Sequence, residues 1–161
     1  MKYLAVISAL LMILFSGCQK SNPEIIADGF SARAVVKSAT ETTEYFIEAK
    51  ENGNLKLTVL SPKILNGFQY IWNGESFTVS FKGIEQNLSD IKNSPDNFAT
   101  ALSELLFQLK TKPQIAKGGK KEGATNSGTF SLTVRPDGFL KTVSFNSLGL
   151  TASFSNSEYL F

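Results

Sequence analysis

From residue 28 onward the chain keeps returning to one pattern: short runs that alternate apolar and polar residues, each cut off by a turn signal. Alternation of this kind has the period of a strand with one wet and one dry face. In GFSARAVVKS it places Phe30, Ala32, Ala34 and Val36 together. TTEYFIEAK sets Tyr45, Ile47 and Ala49 against Glu44, Glu48 and Lys50, and LKLTVLS sets Leu55, Leu57 and Val59 against Lys56 and Thr58. The turn-forming ENGN between them predicts a hairpin over 42–61. SPKILNG, 61–67, breaks the alternation and carries Ile64 and Leu65 in an expected loop. GFQYIWNGESFTVSF follows, with Asn73-Gly74 suited to a two-residue type I′ turn. That loop would set Trp72 opposite Glu75, Tyr70 opposite Phe77 and Phe68 opposite Val79. Phe68, Tyr70, Phe77, Val79 and Phe81 then form a large apolar face that needs a cover.

One stretch departs from the period of two. In SPDNFATALSELLFQLK, 94–110, Phe98, Leu102, Leu105, Leu106 and Leu109 make a single stripe at helical spacing. Ser94 suits the N-cap, Pro95 the first turn and Asp96 the positive end, while Lys110, Lys112 and Pro113 mark the far end. This helix is the expected cover of the aromatic face. KPQIAKGGKKEGATNSG, 112–128, reads as an exposed loop. Its Lys117, Lys120 and Lys121 either touch anionic headgroups or are simply solvated. The tail alternates again: Phe130, Leu132 and Val134, a Pro136-Asp137-Gly138 turn, then Val143, Phe145, Leu148, Leu150 and Phe154. Arg33 and Arg135 fall on the wet side of their strands.

Composition narrows the chemistry. The chain has no histidine and one cysteine, which excludes histidine acid–base catalysis, histidine-containing triads, most zinc sites and any internal disulfide. A formal charge of +2, with arginine only at 33 and 135, gives no field for a nucleic-acid partner. No nucleophile elbow or phosphate-cradling glycine loop is present. A non-catalytic protein without cofactor or metal is expected.

The cysteine stands at the end of a short apolar run. Lys2 precedes Leu4–Phe15, which is uncharged and shorter than the roughly 20 residues a membrane span requires. Ser16, Gly17 and Cys18 follow, and this arrangement resembles a bacterial lipobox, with Phe15 where leucine is usual. The resemblance implies a signal peptide over 1–17, diacylglyceryl and palmitate-type acylation of Cys18, and anchorage on the extracytoplasmic face of a bacterial membrane. Residues 18–27 read as a lipidated tether and 28–161 as one domain. An ordinary signal peptide before a free cysteine is the alternative.

The order of elements, and above all NLKLTVLSPKILNGFQYIWNGESFTVSFKG, resembles the LolA/LolB-like superfamily of bacterial lipoprotein carriers, including lipoproteins of spore-forming bacteria with this fold. That resemblance implies an α+β fold: a curved antiparallel half-barrel with a helix on its concave face and, in some members, a greasy cavity between them. The cavity candidates are Phe68, Tyr70, Phe77, Val79, Phe81, Phe98, Leu102, Leu105, Leu106 and Leu109. Two functions follow. One is a tethered module that binds an acyl chain, lipid or lipoprotein in that cavity, against which stands a dry core filled by the same residues. The other is a docking lipoprotein that uses Ile64 and Leu65 to contact an envelope, sporulation or germination enzyme.

Overall fold

A computed structural model of the chain describes residues 22–88, 97–112 and 114–160. Met1–Gly17 and Cys18 lie outside the described residues, as do the helix-start residues Ser94, Pro95 and Asp96. In chain order the elements are β1 (Phe30–Lys37), β2 (Thr42–Ala49), β3 (Leu55–Ser61), β4 (Gln69–Trp72), β5 (Phe77–Phe81) and β6 (Ile84–Leu88). Helix α1 (Asn97–Thr111) follows, then β7 (Lys120–Thr125), β8 (Gly128–Val134), β9 (Leu140–Phe145) and β10 (Leu150–Tyr159). The ten strands form one open antiparallel sheet in the order β6-β5-β4-β3-β2-β1-β10-β9-β8-β7. The fold is α+β, a curved half-barrel sheet with α1 packed against its apolar face.

The alternation in the sequence becomes aligned rows because side chains in register share a face. Val36, Ala152, Val143 and Leu132 are successive partners across β1, β10, β9 and β8, and all four are buried. The middle of the sheet is paved with small residues: Ala32, Ala34, Ala49 and Ala152 are each at most 3 % exposed. They leave depth that the larger side chains of α1 occupy in the same continuous core. The helix is sunk far enough to bury Ala99, Ala101 and Ser103 as well as the predicted stripe of Phe98, Leu102, Leu105, Leu106 and Leu109. Phe98 fixes its N-terminal half between Tyr45 on β2 and Phe145 on β9, with ring centroids 5.3 and 6.2 Å away.

Four expectations are corrected. The aromatic hairpin is shifted by two residues: Trp72 pairs with Phe77, Tyr70 with Val79 and Gln69 with Ser80. Its loop is Asn73–Ser76, because the Asn73 carboxamide oxygen accepts from the backbone N–H groups of Glu75 and Ser76, both at 2.9 Å. This turn keeps Glu75 out of the ladder and sets two large rings against each other, 4.9 Å between centroids. The two-residue turn with both central φ positive lies elsewhere, at Lys82 (51°) and Gly83 (82°), where it joins β5 to the unanticipated strand β6.

The stretch 112–128, expected as a loop, contains β7, which pairs with β8 along its whole length. Its polar composition hid it, yet charged residues are what an edge strand carries to discourage further pairing. Next, 22–27, the end of the expected lipidated tether, is docked to the domain. The Ile25 N–H donates to the Gln114 carbonyl at 3.2 Å and that of Ile26 to Gly138 at 3.0 Å, and Ile25 and Ala27 are buried. Lastly, Phe77 is completely buried, but Phe68, Tyr70, Val79 and Phe81 are left half-buried. Ten strands span about 43 Å across, and a helix about 10–12 Å thick cannot cover them all.

Candidate functional site

The ten cavity candidates separate into three groups. Phe77, Leu102 and Leu105 are fully buried and fill the space between helix and sheet. Phe68, Tyr70, Val79 and Phe81 lie on the flank beyond the helix, where Phe68 stacks at 5.0 Å from Tyr70 and 5.6 Å from Phe81. Phe98, Leu106 and Leu109 belong to the helix's buried side but each borders a recess at one of its two ends. The space over the sheet is therefore plugged in the middle and open at both ends of α1.

Antiparallel pairing sorts the connections between those ends. At the C-terminal end of α1 lie the turns after β2 and β4, the turn after β8 and the docked segment 22–29. A recess of about 340 Å³ opens there, between the helix and the two turns. Ala49, Leu55 and Trp72 supply its sheet wall, and Ser103, Leu106 and Phe107 its helix wall. Asp28, Lys50, Asn52, Asn54, Lys110 and Thr111 make a polar rim. Largely apolar walls with most of the polar groups at the rim suit a ligand with a greasy tail and a wet head, and the volume is at the small end of ligand sites. Phe107 stands at the mouth, 67 % exposed on the side of α1 away from the stripe.

Lys110 organises that mouth. Its ammonium lies 2.7 Å from an Asp28 carboxylate oxygen and also donates to the Glu51 carbonyl. One side chain thus ties the end of α1 to the docked segment and to the β2–β3 turn. A cation at this position also faces the negative end of the helix dipole. Both ion-pair partners are more than a third exposed, so the contact contributes little to stability, and its main effect is to position three elements around the opening.

At the other end of α1 a second recess of about 320 Å³ is lined by Tyr45, Val59, Leu65, Tyr70, Phe98, Leu148 and Leu150, with Ser38, Glu41, Thr43 and Asn97 at its edge. The interface candidates sit here. Ile64 is 81 % and Leu65 42 % exposed, on a single turn of 3-10 helix between β3 and β4. Ile84, 76 % exposed, is at the same end of the sheet after the Lys82-Gly83 turn.

Several residues of the first recess escaped the sequence reading. Phe107 carried a signal, since it is the apolar residue of LLF that falls off the helix stripe. Leu55 and Ala49 did not, because on their strands they look like any inward residue. Among the described residues no cluster of three or more Asp, Glu or Cys is placed to hold a metal. No described helix is long and apolar enough to cross a membrane. Arg33 pairs with Glu44 at 3.5 Å and Arg135 with Asp137 at 3.1 Å, and Asp137 borders the recess beside the docked segment and Leu109.

No protein-family model matches the chain, and no curated protein matches it in sequence. Among solved structures, a LolA superfamily protein from Nitrosomonas europaea aligns over 89 % of this chain and 91 % of its own, with 11 % identity and a TM-score of 0.45.

Proposed function

We propose that this chain is a non-catalytic envelope lipoprotein, anchored through acylated Cys18 on the extracytoplasmic face of a bacterial membrane. Its folded body holds an acyl chain of a lipid or lipoprotein in the recess at the C-terminal end of α1. The observation that carries this reading is the recess itself: about 340 Å³, with Leu55, Trp72, Leu106 and Phe107 as its walls. Each methylene moved from water into such a site contributes about 0.8 kcal/mol. Half a dozen of them offer roughly 5 kcal/mol before the costs of association, enough for reversible holding.

Trp72 is the only tryptophan in the chain and forms part of that wall, so binding can be read from its emission. The mature chain made with Cys18→Ser is purified, examined by native mass spectrometry for carried lipid, and titrated with fatty acids and lysophospholipids. The reading expects a co-purified lipid or a saturable blue shift of Trp72. A clean apo mass together with flat titrations would refute it. Anchorage is checked separately: the envelope-purified protein should have an N-terminal mass beginning at Cys18 with three acyl chains or two, and unmodified sulfur there would refute acylation.

The exposure of Ile64 and Leu65 favours a second reading, in which the β3–β4 loop docks an envelope, sporulation or germination enzyme. A pull-down from solubilised envelope with Ile64→Asp/Leu65→Asp distinguishes the two. Loss of one specific partner with Trp72 titration intact supports docking; unchanged recovery removes this loop as the contact.

A further inference from the structure

The docked segment shows where the anchor must leave the domain. Residues 22–25 lie antiparallel beside 114–118: the Ala116 N–H donates to the Pro23 carbonyl at 3.1 Å, and the Gly118 N–H to the Asn22 side-chain oxygen, also at 3.1 Å. Cys18 is four residues before Asn22, so even a fully extended chain carries it no more than about 14 Å from that point. Any bilayer holding the acyl chains is then close to the surface around Gly118.

That surface has a particular chemistry. Gly118 and Gly119, with φ of 61° and 77°, turn the chain so that Lys117 and Lys120 stand directly opposite each other. Like charges in such a pair are destabilising, and among the described residues neither lysine is held in an ion pair. Ile115, 61 % exposed, is on the same face of the hairpin as Lys117 by the strand period. Together with Lys121 and Glu122 they border an open recess of about 420 Å³. Lys121 donates to the Gln114 side-chain oxygen at 2.6 Å, and Glu24, opposite Ile115, adds a second acid to that of Glu122. Lys121 faces the other way, in register with buried Leu132, so the outer face offers the opposed, unpaired Lys117 and Lys120 beside an exposed isoleucine, which fits an interface with acyl chains below and phosphate above.

We propose that Ile115, Lys117 and Lys120 form a docking face that rests on an anionic bilayer surface. This rests on the acylated Cys18 of the proposed function and adds an orientation to it. The same end of the sheet carries the mouth of the Trp72 recess, so a docked domain presents its greasy opening toward the membrane. Each lysine brought to an anionic surface favours the docked state about five-fold, within a Debye length of about 8 Å.

The test uses the full lipidated protein, with Cys18 blocked by its own acyl chains and one new cysteine introduced for an environment-sensitive dye. The cysteine is placed by Ile115→Cys, or by Ile84→Cys as the control at the opposite end. The protein is reconstituted in vesicles of phosphatidylcholine alone and with phosphatidylglycerol, floated, and its emission recorded. Docking predicts a blue shift at 115 but not at 84 in the anionic vesicles. High salt or the Lys117→Gln/Lys120→Gln variant should reverse it. Protein that floats with a water-like emission at 115, or with equal shifts at 115 and 84, overturns the orientation and leaves the anchor standing. Protein that fails to float overturns both.

Discussion

Gly123 offers a test of strand β7, because its expected response runs against ordinary propensity. Glycine inside a strand is usually worse than alanine by about 0.5–1 kcal/mol. Here a Cβ at position 123 would lie 2.6 Å from the Phe130 Cζ and 2.9 Å from its Cε1. Comfortable carbon contacts are about 3.5–4.0 Å, so the ring would have to retreat by about 1 Å. Phe130 is 2 % exposed and paired with Phe145 on β9, so its retreat means displacing packed neighbours. Overpacking of this kind costs about 1–3 kcal/mol. After the propensity gain, Gly123→Ala should destabilise by about 0.5–2 kcal/mol. At about 2–4 °C per kcal/mol for a chain of this size, that lowers Tm by several degrees. Urea unfolding followed by circular dichroism gives the free energy directly. In the Phe130→Leu background the terminal ring carbon is gone, and the same Gly123→Ala change should lose its penalty. Wild-type or higher stability for Gly123→Ala alone would show that the ring does not lie over position 123.

Three further outcomes are expected. Leu105→Ala, at a fully buried position in the plugged middle, should cost about 3–4 kcal/mol, and Leu106→Ala at the recess wall distinctly less; equal losses in urea midpoints would contradict that distinction. Leu106→Trp should fill the recess and displace about two methylenes of ligand, weakening acyl binding roughly ten-fold; an unchanged fatty-acid affinity in titration calorimetry would place the ligand elsewhere. Lys82→Asn should stabilise by about 0.5 kcal/mol, since asparagine tolerates the left-handed backbone that Lys82 holds at φ 51°, and a loss of stability in thermal melts would argue against that turn.

Much of the fold was legible because it depends on local periodicity. Alternation marked β1, β2, β3, β8 and β9 as strands with a dry face, and the helical stripe from Phe98 to Leu109 marked α1, because side-chain direction follows backbone period whatever the partner. What failed was pairing. Asn73-Gly74 announced a turn without saying how many residues it would use, and the Asn73 side chain settled on a four-residue loop. Strand β7 has no apolar alternation, and only Phe130 beneath Gly123 shows why a bare backbone is wanted there. The site was less legible than the fold. Leu105 and Leu106 are neighbours on one stripe, yet one plugs the core and the other lines an opening.

By itself, then, the chain determined its mostly β composition, its one amphipathic helix and the absence of histidine chemistry, since all three are properties of residues in order along a backbone. Tertiary structure alone decided that β10 joins β1 at the sheet's centre, that four alanines there let α1 sink until the middle is solid, and that the leftover space opens at the helix ends. Those outcomes depend on how far one helix can reach across ten strands, a distance that no local window of residues encodes.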